Sequence, residues 1–126
     1  MIRILGFFII LGVGFAPTRS HATDIIADAS RYTIQVLTLT DYGFGREARG
    51  TSRGAGFLID RERGWIMTNA HVVKKSPSRV RISFRNHPYI AAEKLYIDNH
   101  LDLAILQIDA KRIPSEAIAA QLNCST

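Results

Sequence analysis

The chain is poor in cysteine. Its 126 residues contain one, Cys124. A disulfide needs two cysteines, so the chain cannot form one within itself, although small exported proteins often depend on disulfides. A single cysteine also excludes zinc sites built on paired cysteines. We therefore expect side-chain packing to hold the fold together.

Apolar runs long enough to span a membrane are missing as well. Residues 4–16 are apolar and uncharged, but the run is shorter than the roughly 20 residues that cross a bilayer as a helix. Arg3 precedes the run, and residues 20–22 (Ser-His-Ala) follow it as a small-x-small cleavage sequence. We predict a signal peptide over residues 1–22 and a polar lead over residues 23–31.

A signal peptide implies an exported protein of the periplasm or the cell envelope. If the signal is cleaved, no stable membrane span is expected. If it stays uncleaved, the chain would be anchored to the membrane by it.

A concentrated basic surface is also absent. The formal net charge is +5, and the basic residues are scattered in small groups near predicted turns or along strands. Nucleic-acid-binding surfaces need a dense basic stripe, often with interleaved aromatic side chains. The charge pattern therefore indicates a solvated surface, and we expect no nucleic-acid partner.

The sequence is instead rich in short β-type segments. β-branched and aromatic residues, period-2 alternation and turn residues between the runs predict six strands. These are expected at residues 32–40, 54–60, 65–69, 79–85, 89–97 and 103–108, with a Gly- and Arg-rich loop at 41–53, a helical turn at 70–75 and a weak helical pattern at 114–122. Six closely spaced strands favour an all-β barrel over βαβ units.

Three segments carry a specific motif in a fixed order. Residues 54–60 read Gly-Ala-Gly-Phe-Leu-Ile-Asp, residues 65–73 read Trp-Ile-Met-Thr-Asn-Ala-His-Val-Val, and residues 101–105 read Leu-Asp-Leu-Ala-Ile. Together they resemble the first half of a trypsin-like serine protease of the HtrA type. The resemblance covers residues 32–109.

The resemblance implies a fold as well as an activity. The expected fold is all-β, the first six-stranded antiparallel barrel of a chymotrypsin-like two-barrel fold, with the second barrel absent. Residues 32–110 would form this N-terminal protease barrel, and residues 111–126 would be the truncated start of the connection between barrels. The implied activity is a serine-type endopeptidase that acts on polypeptides, by family on unfolded proteins, and needs no cofactor.

Two residues would carry the chemistry that the resemblance implies. His71 would be the general base and then the general acid, because an imidazole titrates near working pH. Asp102 would orient the imidazole and stabilise its charged form. From its place at the start of an apolar strand, between Leu101 and Leu103, we expect the Asp102 carboxylate to be shielded from water and to need an N–H donor.

The third group of the triad, the nucleophile, is not found. The 126 residues contain no Gly-x-Ser-Gly-Gly sequence, and in the family the serine and the oxyanion hole belong to the second barrel. Residues 50–54 match Gly-x-Ser-x-Gly around Ser52, but that motif needs a preceding strand, a following helix and a histidine after the acid. We reject Ser52 and predict that this chain alone is inactive.

Two alternatives of other classes remain. One is a non-catalytic exported β-barrel that binds peptides or a partner chain, or a decayed gene product. The other is a small metal-binding envelope protein, in which Asp98, His100 and Asp102 share a strand face. The turn predicted at residues 98–100 disfavours that geometry, and no His-Glu-x-x-His sequence is present. We predict no metal site.

Overall fold

The computed structural model describes residues 21–123, so residues 1–20 of the predicted signal peptide, as well as Cys124, lie outside the described part. The chain runs through α1 (His21–Tyr32), β1 (Thr33–Thr40), β2 (Gly50–Asp60), β3 (Trp65–Thr68), α2 (Ala70–Val73), β4 (Ser78–Phe84), β5 (Ile90–Asp98), β6 (Leu103–Gln107) and a 3₁₀ turn (Ala110–Arg112). Within residues 21–123, neither α-helix combines the length and the apolar character that crossing a bilayer requires.

The six strands close into one antiparallel barrel. The order around it is β1-β2-β3-β6-β5-β4, and β4 pairs back to β1. Residues 61–64 form the hairpin connection between β2 and β3. The predicted all-β class with a six-stranded antiparallel barrel is therefore confirmed, and the described residues contain this barrel alone.

The core follows from alternation along the strands. On β1 every second side chain, from Ile34 to Thr40, points into the barrel. On β3 and β6, Ile66 and Leu106 face each other across the ladder and both are fully buried. Each such aliphatic side chain contributes about 1.5–3 kcal/mol through removal from water. The period-2 pattern thus fixes which face of the sheet is inside.

The segment expected as a polar lead, residues 23–31, is helical. It lies within α1, which has Asp24 in its first turn and Arg31 in its last, the charge arrangement that complements the helix dipole. A core-facing helix usually has an apolar stripe, but here Ile25 and Ile26 are both exposed. Ile25 and Ile26 are therefore not part of the barrel core.

Strand β2 is longer than predicted. It begins at Gly50 rather than at residue 54, so part of the expected loop pairs with β1, from Ser52 opposite Thr38 to Gly50 opposite Thr40. Main-chain hydrogen bonds to a neighbouring strand stabilise this extension, although glycine, serine and arginine are not strong strand formers.

The helix expected at residues 114–122 is wrong. Arg61 donates hydrogen bonds to the carbonyls of Pro114 and Ala117 at 2.9 and 2.7 Å, and the Ala120 N–H donates to Leu58 O at 2.7 Å. These contacts hold the segment against the barrel wall, and Ile113 is buried at its start. Bonds to the barrel replace the bonds that a helix would have formed within itself.

Candidate active site

His71 is carried on a single helical turn at one end of the barrel. The turn α2 directly follows β3, and three of its four residues, Ala70, Val72 and Val73, are buried. The fourth, His71, has 71% of its side-chain surface exposed. The apolar residues therefore fix the turn to the core and leave the imidazole in solvent.

Asp102 lies directly beside this imidazole. Its Oδ2 is 2.7 Å from His71 Nδ1, and its Oδ1 accepts a hydrogen bond from the His71 main-chain N–H at 2.9 Å. The structure therefore brings together the two residues that the sequence singled out, with both carboxylate oxygens turned to the same partner.

These contacts set the protonation of the pair. The main-chain N–H of His71 is the largest cause that lowers the pKa of Asp102; the imidazole and Asn69 add to it, and burial acts in the opposite direction. An ionised carboxylate only accepts hydrogen bonds, so the neutral imidazole carries its proton on Nδ1. Nε2 is then the nitrogen that can take a proton from another group.

The surroundings of Asp102 differ from the expectation. It does not begin a strand but occupies the turn before β6, with a left-handed φ of +51°. The turn is set by Asp98, whose Oδ1 accepts the N–H groups of His100 and Leu101. The carboxylate is 45% exposed and Leu101 is 76% exposed. The predicted shielding from water is therefore wrong.

Asn69 belongs to the site, and the sequence analysis missed it. It occupies the N-cap of α2, where asparagine usually binds a helical N–H, but it makes no such cap bond. Its Nδ2 instead donates to Oδ2 and to the main-chain O of Asp102, both at 3.2 Å. Its position two residues before His71 in the sequence motif could have identified it.

Glu47 ties the β1–β2 loop to the segment after α2. Its two carboxylate oxygens accept the main-chain N–H groups of Lys75 and Ser76 at 2.8 and 2.7 Å, and Ser76 Oγ accepts from Phe44 N–H at 2.9 Å. Burial raises the pKa of Glu47, but the bonds from Ser76 and Lys75 and the charge of Lys74 outweigh it and lower the pKa overall. The loop is thereby fixed near His71.

Lys94 supports the same segment from β5. Its Nζ donates to Lys74 O at 3.1 Å, to Ser76 O at 2.9 Å and to Ser78 Oγ at 2.9 Å. Burial lowers the pKa of this ammonium, while the charge of Glu47 acts in the other direction. A half-buried cation thus binds oxygens at the end of the turn that carries His71.

The other candidates from the sequence do not join this site. Ser52 lies within β2, opposite Thr38, so the strand-to-helix turn that its motif needs is not there. Asp98 and Asp102 point to different partners, the N–H groups of the turn and His71. Among residues 21–123, no three histidine, cysteine or acidic side chains gather closely enough to hold a metal ion.

Comparison with known proteins places this barrel in a family. Residues 54–125 match the family described as "Trypsin-like peptidase domain". The pro-apoptotic serine protease NMA111 of Pyricularia oryzae is 40% identical over 77 residues, and that of Chaetomium globosum is 43% identical over 83 residues. A probable periplasmic serine endoprotease DegP-like of Halomonas elongata is 37% identical over 71 residues.

Solved structures share the fold. The serine endoprotease from Yersinia pestis matches 77% of this chain and 32% of its own, with a TM-score of 0.59 and 24% identity. The HtrA-type protease AlgW with tripeptide matches 75% of this chain and 28% of its own, with a TM-score of 0.62 and 21% identity.

The matches to curated relatives are local. They cover 61%, 66% and 56% of this chain, in the order given above, but only 8% of either NMA111 protein and 15% of the DegP-like protein. The family match itself extends over more than half of the chain. The chain therefore belongs to the trypsin-like peptidase domain family, with a barrel like that of HtrA-type proteases.

Proposed function

We propose that this chain supplies the histidine and the aspartate of an exported serine endopeptidase. His71 takes the proton of an attacking serine hydroxyl on Nε2 and later gives it to the leaving amine. Asp102 holds the ring in the tautomer with Nδ1–H and stabilises the imidazolium that forms between the two steps. The contact of 2.7 Å between Nδ1 and Oδ2 carries this proposal.

The serine and the oxyanion hole come from elsewhere in this proposal. No Gly-x-Ser-Gly-Gly sequence occurs in the 126 residues, so these residues alone do not hydrolyse peptide bonds. Residues 32–110 act as the N-terminal protease barrel and residues 111–126 as the start of the connection to a second barrel. The names of the relatives support polypeptide substrates, and the DegP-like relative supports the periplasm.

Labelling of the nucleophile tests whether residues 1–126 lack the reactive serine and whether a downstream segment supplies it. A purified chain of residues 1–126, treated with an active-site-directed fluorophosphonate, should form no covalent adduct. Adduct formation at Ser52 or any other serine would refute the proposal. The DNA beyond codon 126 should encode Gly-x-Ser-Gly-Gly, in frame or after a frameshift, and a polypeptide that includes it should be labelled at that serine.

Substitutions then test the roles of the pair. In a polypeptide with the nucleophile, Asp102→Asn should lower kcat by about four orders of magnitude, because the imidazole loses its preferred tautomer. His71→Ala should lower it at least as far. Unchanged hydrolysis in either variant would exclude the assigned role. If the downstream sequence lacks the motif and the chain still binds peptides, it is a binding module instead.

A further inference from the structure

A depression of about 460 Å³ adjoins the His71–Asp102 pair. Residues 46–48 of the β1–β2 loop form one wall, α2 and Lys74 form a second, and Asn99 closes it from the β5–β6 turn. We call it the Arg46–Lys74 depression, after its two cationic residues. Because His71 lines it, a group bound there would lie close to any bond on which His71 acts.

The two carboxylates that line this depression, Glu47 and Asp102, already accept hydrogen bonds from the protein. Both oxygens of Asp102 accept hydrogen bonds from His71, and Asn69 adds a second bond to Oδ2. Both oxygens of Glu47 accept main-chain N–H groups of the segment after α2. Each of these negative charges is therefore stabilised by donors of the protein itself, and the charge of Lys74 also stabilises Glu47.

The donor groups, in contrast, remain available. Arg46 is exposed, and no ion pair within the described residues involves its guanidinium. The Lys74 ammonium makes one long contact, 3.4 Å to Ala48 O. An arginine offers five N–H donors in a planar fork and a lysine offers three. Ala48 and Ala70, whose side chains are small, also line the depression.

We propose that the Arg46–Lys74 depression is a subsite for an acidic residue of the polypeptide substrate. The guanidinium of Arg46 binds the carboxylate of an aspartate or glutamate side chain through paired N–H donors, and the Lys74 ammonium, which contacts Ala48 O, adds a second positive charge. The substrate residue concerned lies next to the bond that His71 acts on. This inference rests on the proposed function and specifies its substrate class.

Binding of capped pentapeptides to the purified full chain tests the subsite without hydrolysis. The probes are acetyl-Ala-Ala-Glu-Ala-Ala-amide and the same peptide with Gln or Lys in the centre, followed by ¹⁵N chemical-shift titration. At low salt the Glu peptide should bind about threefold to tenfold more tightly than the Gln peptide, as two exposed ion pairs would give. The preference should shrink at higher salt because the Debye length falls from about 30 to 8 Å.

Matched variants locate the preference. Arg46→Gln combined with Lys74→Gln should abolish it, whereas Lys111→Gln combined with Arg112→Gln, which removes two exposed charges outside the depression, should preserve it. Shifts in the wild-type chain should include the amides of His71 and Asn99. Equal binding of the Glu and Gln peptides, tighter binding of the Lys peptide, no detectable binding of the Glu peptide, or a preference that survives in the double variant would each overturn the proposal.

Different results would refute the endopeptidase proposal and the subsite proposal. If fluorophosphonate labels the downstream serine but the charge preference is missing, only the subsite is refuted. If the preference is present and depends on Arg46 and Lys74 but no nucleophile exists, the endopeptidase is refuted, and the depression stands as a binding site for acidic peptides.

Discussion

Gly54 and Val72 are in contact so close that a side chain on residue 54 has no space. A Cβ built on Gly54 would lie 2.5 Å from Cγ2 and 2.9 Å from Cγ1 of Val72. Val72 is buried and adjoins His71 in the turn α2. The glycine at the start of the family motif thus determines how closely α2 can approach β2.

Gly54→Ala should therefore destabilise the chain by about 1–3 kcal/mol, the usual cost of overpacking a core. The stiff, β-branched side chain of Val72 cannot rotate away, so α2 has to shift. Urea denaturation measures the loss, and chemical shifts of His71 should report the displacement of the turn. Val72→Ala removes the obstructing methyl groups, so the double variant should be more stable than the sum of the two single effects predicts. Simple additivity would contradict the contact.

The main-chain N–H and the imidazole of His71 should contribute separately to the lowered pKa of Asp102. His71→Ala removes the imidazole but keeps the main-chain N–H, the largest cause of the lowered pKa. The pKa of Asp102 should therefore rise but stay below its ordinary value, and Asn69→Ala should raise it less. Carboxyl ¹³C titration measures both.

Asp60 provides the control for that titration, because its lowered pKa comes from the N–H and guanidinium groups of Arg63. It should titrate unchanged in both variants. Identical titration of Asp102 in the wild type and in His71→Ala would show that the two side chains are not coupled in solution.

Acid should remove the contribution of Glu47 to stability. Its pKa is lowered in the folded state, so the unfolded chain binds more protons between the folded and unfolded pKa values. Its stabilisation is complete above the unfolded value, about 4.3, and is lost as the pH falls through the folded value. At pH 7, Glu47→Gln should cost about 1–2 kcal/mol through weaker bonds to Lys75 and Ser76.

The matched comparison for Glu47 is Glu62→Gln, at an exposed glutamate of the β2–β3 turn. This variant should change the free energy of unfolding little at any pH. For Glu47→Gln, the difference from the wild type should shrink as the pH is lowered below about 4. A difference that stays constant from pH 7 to pH 3 would refute the carboxylate's role.

Lys94→Met should loosen the segment that follows α2. Methionine keeps the apolar stem but leaves the carbonyls of Lys74 and Ser76 without the ammonium, at a cost of about 1–3 kcal/mol. Hydrogen exchange should increase at residues 74–76 before it increases in the strands. Lys94→Arg, which retains the charge and the donors, should recover part of the loss. Equal protection of residues 74–76 in the wild type and in Lys94→Met would contradict this.

The strands were predictable because the side chains of a half-buried strand alternate between apolar and polar along the sequence. On β4, for example, the buried residues Val80 and Ile82 alternate with arginines. The ends of the strands were less predictable where only hydrogen bonds to a neighbouring strand stabilise the extended chain. Gly50 extends β2 through its partner Thr40 on β1, and its own sequence gives no such signal.

Within the candidate site, the contact between His71 and Asp102 was predictable from the motif, but the surroundings of the two residues were not. Asn69 and Asp102 are 33 residues apart in the chain, so their hydrogen bonds depend on the closed barrel. Lys94 on β5 likewise binds oxygens of the connection between α2 and β4, about 20 residues earlier in the chain. The exposure of Asp102 depends on a turn whose left-handed φ has no counterpart in the period-2 pattern.

The positive φ at residue 102 restricts which side chains this position can accept. Most side chains resist this backbone conformation; glycine accepts it, and asparagine and aspartate tolerate it better than the rest. Glycine would relieve the backbone and remove the anion, whereas glutamate would keep the anion in an unfavourable conformation. Asparagine retains the shape while deleting the charge. At position 102, aspartate thus suits both the backbone conformation and the proposed chemistry. Asparagine, which is nearly isosteric, keeps the conformation without the charge and so separates the two requirements.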